Sequence, residues 1–296
     1  MKQFNLKYIL LCVTILTFTS AAIYAQVGIG TNTPEGILDL SSSTQGIVFP
    51  RVALTARNVE APVVNPNGSN LVAGTTVYNT VNTSSGSNDV YVGIYSWDGS
   101  AWAPQFVLEE YEKFEQTGGC FRTTVKESNS DPNPSDDDNL PGLTSQTFTP
   151  TYSGTYRVEV KTNFGAGAIV DFTSGSAISL ATMEGAFFFA MSGSGVDIDP
   201  VPGSAQYDYS EGWLYTHSYG THNSNESPAL EDNTIPHIAS LVFYEYLTSG
   251  QNYSFNLSNC IITGDGYFVN GGDSGTGQGH IGHDIPCSVE FTFLKE

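Results

Sequence analysis

The sequence predicts an all-β protein: an antiparallel jelly-roll sandwich head preceded by a small β-rich spacer and a short helix. Three observations lead there. First, Thr155–Asn163 alternates strictly, with Tyr156, Val158 and Val160 on one side and Thr155, Arg157, Glu159 and Lys161 on the other. That is the period of a half-buried antiparallel strand. Second, a succession of such runs fills the chain from Cys120 onward, separated by turns rich in Gly, Pro and Asn, as in a sandwich or jelly roll. Third, 31 Gly, 17 Phe and 16 Tyr with only 14% charged residues describe an exported β protein, not a disordered acidic chain.

Residues 1–25 read as a signal peptide. Lys2 and Lys7 form a basic beginning, Tyr8–Phe18 is apolar and uncharged, and Ala25 offers a small residue before Gln26. The apolar run is short for a membrane span. Leu11 before Cys12 is not the small residue a lipoprotein signal needs. The expectation is an extracellular or cell-surface protein, exported through a cleaved signal, with no integral membrane span. Cleavage removes two lysines and takes the formal charge from −20 to −22. Such a field repels nucleic acid and anionic membranes and attracts cations or basic partners; nucleic-acid binding is excluded. The 296 residues leave room for one large core or two small ones.

Residues 26–106 form the expected spacer. Gly28, Gly30, Gly36, Gly46, Pro34 and Pro50 break it into short apolar pieces, Ile37-Leu38-x-Leu40 and Ile47-Val48-Phe49. Each is too short for a free-standing sheet, which suits a segment buried between identical chains. The Gly-x-Gly of Val27–Gly30 lacks the strand-turn-helix context of a dinucleotide site. Downstream, Asp98-Gly99 is a two-residue hairpin signal that sets Trp97 opposite Ser100 and Tyr95 opposite Trp102. Tyr95, Trp97 and Trp102 then share one face, as core or subunit contact rather than sugar platform.

The pieces Val27-Gly28-Ile29-Gly30-Thr31, Pro34, Leu38–Ser42 and Gly46-Ile47-x-x-Pro50-Arg51 are followed by Gly74-Thr75-x-Val77-Tyr78-Asn79 and Tyr95-x-Trp97-Asp98-Gly99-x-x-Trp102. Together they resemble a module that opens exported proteins of the Bacteroidota, and the shaft and collar of phage-tail-like trimeric fibres. The resemblance implies a trimeric spacer and names no ligand.

Residues 107–119 are predicted to be a helical connector. Leu108, Tyr111 and Phe114 fall near 3-4 spacing, and Gly118-Gly119 ends the run as a joint. The head follows at 120–296. Its expected strands are Cys120–Glu127, Gln146–Thr149, Thr155–Asn163, Ala177–Leu180, Gly185–Met191, Gly212–Ser218, Ile238–Leu247, Asn252–Leu257, Tyr267–Val269 and Cys287–Leu294. Two units carry a resemblance to the C1q/TNF-like jelly roll. One is Phe148-x-Pro150-x-x-x-Gly154-x-Tyr156 with its alternating continuation, read as an early strand pair. The other is Leu247, the tight turn Thr248–Gln251 and the alternating Tyr253-x-Phe255-x-Leu257. That family implies a homotrimer that binds an extracellular glycan or protein. No collagen-like repeat precedes the head, which leaves trimerisation to spacer and head. In a jelly roll the first and last strands are neighbours, which implies a Cys120–Cys287 disulfide. Three buried thiols, Cys260 included, are the equal alternative.

The head is longer than its strands require, and the surplus lies in Ser128–Gly142, Ser192–Tyr209, Tyr219–Pro236 and Asn270–Pro286, where function is expected. Asp131, Asp136, Asp137 and Asp138 crowd one Pro-broken loop with oxygen ligands of the kind Ca²⁺ takes, without the spacing of an EF-hand; the alternative is a solvated acidic loop. No other cofactor is expected. His280 and His283 form an i,i+3 loop pair that, with a further ligand, suits Zn²⁺ or Ni²⁺, or serves structural hydrogen bonding. Trp213, Tyr215, His217 and Tyr219 alternate on one strand face, as trimer interface or ligand-binding shelf. Gly272-Asp273-Ser274-Gly275 lacks the partners of a serine nucleophile, and no carboxylate pair is promoted by spacing. The sequence therefore points to a non-enzymatic adhesin-like binding protein, with a structural fibre subunit or tip as the alternative and a glycoside hydrolase behind both.

Overall fold

The computed structural model describes residues 26–122, 138–167, 169, 178–200, 209–223, 230–232, 236–263, 268 and 279–295. Two compact units divide between Phe49 and Pro50. In the first, strands β1 (Val27–Ile29) and β2 (Leu38–Leu40) pair in parallel. In the second, β3 (Arg51–Val52), β4 (Thr76–Asn79), β5 (Gly93–Trp97) and β6 (Trp102–Pro104) form a small sheet in chain order. Tyr95, Trp97 and Trp102 share its face and are buried with Leu54, Leu71, Val77 and Val90. Their role is core.

The hairpin register differs from expectation. Trp97 opposes Trp102 and Tyr95 opposes Pro104, so the loop has four residues. Asp98 sets it: Oδ1 accepts from the Ser100 and Ala101 amides at 2.7 and 2.8 Å, an Asx turn that outcompetes the two-residue hairpin.

The head follows as β7 (Tyr111–Glu115), β8 (Phe121–Arg122), β9 (Asp138–Asn139), β10 (Gln146–Phe148), β11 (Gly154–Gly165), β12 (Ile178–Gly193), β13 (Val196–Ile198), β14 (Trp213–Asn223), β15 (Leu230–Asp232), β16 (His237–Leu247), β17 (Tyr253–Thr263), β18 (His280–Ile281) and β19 (Ser288–Lys295). Among the described residues, helix is confined to a 3₁₀ turn at Tyr209–Glu211. One sheet runs β10-β17-β12-β14-β15, with β13 on β12 and β9 on β17. The other runs β7-β19-β11-β18-β8, with β16 also on β11. Every pairing in both is antiparallel. The fold is all-β, a jelly-roll sandwich.

The core lies between these sheets. Tyr156, Val158 and Val160 point inward and are fully buried, with Val289 and Phe291 beside them and Phe187, Phe189, Phe255 and Leu257 from the other sheet. The Phe148 and Phe291 rings stack at 4.1 Å.

Three expectations are corrected. The 107–119 connector is not helical: β7 occupies its centre and pairs with β19. Phe114 enters the core, 5.0 Å from Phe255 and 6.0 Å from Phe291; that burial outweighs a weak helical spacing. Nor do β10 and β11 form a strand pair. They lie in opposite sheets, and Phe148 and Tyr156 meet across the core at 5.5 Å. The Ala177–Leu180 and Gly185–Met191 runs are one strand, β12, which at Gly185 passes under Phe164: a Cβ there would lie 2.7 Å from that ring.

Candidate functional site

The outward face of the β7-β19-β11-β16 sheet is the best-defined surface of the head. Alternation puts Arg157, Glu159 and Lys161 of β11 on it. The register sets Tyr244, Val242 and Ser240 beside them from β16, and Thr292, Glu290 and Ser288 from β19. Tyr111, Lys113 and Glu115 of β7 complete the rows.

The charges in the middle pair among themselves. Lys161 Nζ lies 2.8 Å from Glu290 and 3.4 Å from Glu159, whose carboxylate also takes Arg157 at 2.8 Å. Lys113 pairs with Glu115. Burial pushes the Glu290 carboxyl up, yet hydrogen bonds from Lys161 and Ser288 outweigh it and hold the group below its ordinary value. Such half-exposed pairs contribute modest stability. Their consequence is local neutrality: three cations and three anions on one face of a chain whose net charge is −20.

On the edge strand beside this ladder the apolar residues stand in water. Tyr244 is 63% and Ile238 61% exposed, with Val242 and Tyr246 exposed on the same face. Among the described strands β16 pairs with β11 alone, and an apolar stripe of this kind on a strand edge marks an interaction surface.

The spacer sheet docks on the other end of β11. Asp89, buried, accepts from Thr83 Oγ1 at 2.8 Å and from the Ser85 amide at 2.7 Å. Its second oxygen accepts from Ser153 Oγ at 2.6 Å. Ser153 in turn donates its amide to Tyr91 Oη at 2.6 Å and accepts from the Ser249 amide at 2.9 Å. Burial pushes the Asp89 carboxyl up, but the hydrogen bonds from Ser153, Ser85, Thr83 and Gly86 together bring it below its ordinary value. The link between spacer and head thus runs through a buried polar network at Ser153. Sequence reasoning missed it, because a lone Asp and a lone Ser 64 positions apart leave no local signal.

The residues singled out from sequence fall as follows. Trp213, Tyr215, His217 and Tyr219 do share the outward face of β14. Trp213 is core: with Phe188, Ala186 and Cys260 it forms a separate buried cluster, 4.7 Å edge-to-face with Phe188. Tyr215 stacks on Trp213 at 6.2 Å. His217 is exposed, 3.4 Å from Glu184 on the neighbouring strand. Tyr219 meets the His237 ring edge-on at 5.5 Å. The row is split between core and surface and makes no continuous shelf.

His280 and His283 stand 5.7 Å apart with rings nearly perpendicular. His280 is fully buried against Gly165, where an added Cβ would lie 1.9 Å from its Nε2. No group of three His, Cys, Asp or Glu able to hold a metal exists among the described residues, so the pair lacks its further ligand there. Asp131, Asp136 and Asp137 lie outside the described residues; Asp138 is in β9, opposite Asn259.

The Cys120–Cys287 bridge is not formed in this structure. Cys287 is a buried thiol whose Sγ accepts from the Asn163 amide at 3.3 Å, and burial pushes its pKa up to about 12. The last strand lies between β7 and β11, and on the β7 side Gln116, not Cys120, meets Cys287: the Gln116 amide donates to Cys287 O at 2.9 Å.

Among the described residues of the first unit, almost nothing apolar is buried. Ile37 is 84% and Val48 80% exposed, and Val27, Ile29, Leu38, Leu40 and Ile47 are exposed as well. A hollow of about 480 Å³ is lined by Ile29, Gly30, Leu40, Ser41, Ser42, Gln45, Gly46 and Ile47.

Residues 28–113 match a family described as the phage tail like trimerisation region. No curated protein matches the chain. Among solved structures, the Eiger TNF of S. frugiperda aligns loosely, at 9% identity over 64% of this chain and 94% of that one, with a TM-score of 0.25. Among the described residues, no helix is long and apolar enough to cross a membrane.

Proposed function

We propose that the protein is an exported, non-enzymatic homotrimer whose head binds an extracellular glycan or protein through its loops. The observation that carries the trimer is the outward face of the β7-β19-β11-β16 sheet, with its internally neutralised charges and the exposed Ile238, Val242, Tyr244 and Tyr246. A chain of net charge −20 repels its own copies. A neutral face with an apolar edge is where that repulsion is least and the gain from burial greatest. The similarity of residues 28–113 to a trimerisation region supports the same reading from the other end of the chain. Export rests on the basic, then apolar, leader of residues 1–25.

That similarity also favours a second reading, a subunit or tip of an extracellular fibre whose head caps the trimer. Light scattering of residues 26–296 tests the common part: three times the chain mass is expected, and a monomer overturns both. A glycan array then separates them. Specific binding by the trimer supports the binding head, and filaments without binding support the fibre.

A further inference from the structure

We infer that the hollow lined by Ile29, Leu40 and Ile47 is a self-association site that takes Ile37 and Val48 from residues 26–49 of a second copy. The inference rests on the homotrimer reading and adds to it a contact in a different unit of the chain.

The pair β1–β2 is closed tightly by its own backbone. The Val27 amide donates to Ile37 O at 2.8 Å and the Ser41 amide to Ile29 O at 2.9 Å. Gly30, at φ +78°, lets the strands approach: an added Cβ would sit 2.0 Å from Ser41 O. This register sets Ile29 beside Leu40, and Ile47 joins them across the polar rim of Ser41, Ser42 and Gln45. At ~30 Å³ per molecule, 480 Å³ holds on the order of ten or more waters, so an apolar occupant has water to displace.

The same segment carries apolar projections. Ile37 and Val48 are its two most exposed apolar side chains. Two strands of three residues do not hold together in water on their own, and every apolar group that would stabilise them points outward. The occupant is a copy of this chain because the lining residues 29–47 fall inside the region similar to a trimerisation family. A recess on one copy that takes a projection from the next is a heterologous contact, and three such contacts close a ring.

Hydrogen exchange on residues 26–296 tests this, with light scattering on the same samples. Wild-type trimer should protect the amides of Val27–Leu40. Ile37→Asp and Ile47→Asp should each speed their exchange roughly tenfold or more, while amides of Tyr156–Val160 stay protected and report a folded head. Ile37→Leu should restore protection. Ile37→Asp is the sharper variant, since a side chain 84% exposed in one chain acts mainly through a neighbour. A wild-type trimer whose Val27–Leu40 amides exchange at the solvent rate, or protection untouched by both Asp variants, overturns this inference and leaves the trimer standing. A wild-type monomer removes both.

Discussion

Residues 26–49 and the head use the same residue types to opposite ends. In the head, Gly154–Gly165 runs twelve residues, alternating buried and half-buried as far as Lys161 and buried throughout from Thr162 on, and the stacked sheets leave Phe148, Phe187, Phe255 and Phe291 without contact to water. In the N-terminal unit, strands of three residues leave Ile29, Leu38 and Leu40 outside. Strand length and layering make the difference. A long strand between two layers buries its apolar face within one chain, while a short pair has no second layer unless other copies provide it. The head buries its own apolar face, and on the self-association inferred above the N-terminal unit would take its second layer from other copies.

The largest effect should come from breaking the head's own packing. Phe291 stacks on Phe148 and lies 5.6 Å from Phe255, so Phe291→Ala should cost about 3–5 kcal/mol, read as a lower midpoint in denaturant. Ile37→Ala under conditions where the chain is monomeric should change that midpoint by less than about 0.5 kcal/mol. Equal losses at both positions would erase the contrast.

The contrast also explains what was legible beforehand. The alternation of Tyr156, Val158 and Val160 named its buried face correctly, because only one face of that strand is apolar. Strand β16 gave no such information. Leu241, Phe243 and Leu247 are buried while Val242, Tyr244 and Tyr246 are exposed: both faces are apolar, and which one meets water depends on the packing of the sheets. Trp213 and Tyr215 do alternate with His217 and Tyr219 along one strand face, but alternation could not show that Trp213 lies in a buried cluster with Phe188 and Cys260. Val107–Gln116 read as helix because Tyr111 and Phe114 fit a three-residue spacing as well as β7 fits alternation. Only pairing with the distant β19 separates the two. The calcium expectation falls mostly on Asp131, Asp136 and Asp137, outside the described residues.

An intermediate effect is expected at the joint between spacer sheet and head. Ser153→Ala removes the donor to Asp89 and the acceptor of the Ser249 amide, leaving both partners buried and short of one bond. The cost should be about 1–3 kcal/mol. Proteolysis between Pro104 and Tyr111 should quicken as the spacer loosens, and an unchanged cleavage rate would show that the network does not hold the two together. A smaller effect on folding, but a clear one on assembly, is expected from Tyr244→Ser combined with Val242→Ser. Both side chains are exposed in one chain, so the denaturation midpoint of the monomer should stay within about 0.5 kcal/mol, while light scattering shows the trimer dissociating at higher concentration than wild type. A trimer of unchanged affinity would move the contact off this sheet.

The last effect is one of pH, and Asp89 fixes its sign. Its carboxyl titrates below the ordinary 3.8 in the folded chain, so the folded state favours the anion more than the unfolded state does. The stabilisation is fully present above about pH 4 and is lost as the pH falls through the folded value. Acid also neutralises other carboxylates and relieves their mutual repulsion, so the wild-type curve alone cannot isolate this group. The difference between wild type and Asp89→Asn can. An Asn turns one acceptor oxygen into a donor facing Ser153 or Thr83, so the variant should be less stable by about 1–3 kcal/mol at neutral pH. The gap should stay constant down to about pH 4 and narrow below it, followed as unfolding midpoints of both proteins across the acid range. A gap that widens in acid would mean that the buried network is held by the neutral acid and that the charged form of Asp89 is not what joins spacer to head.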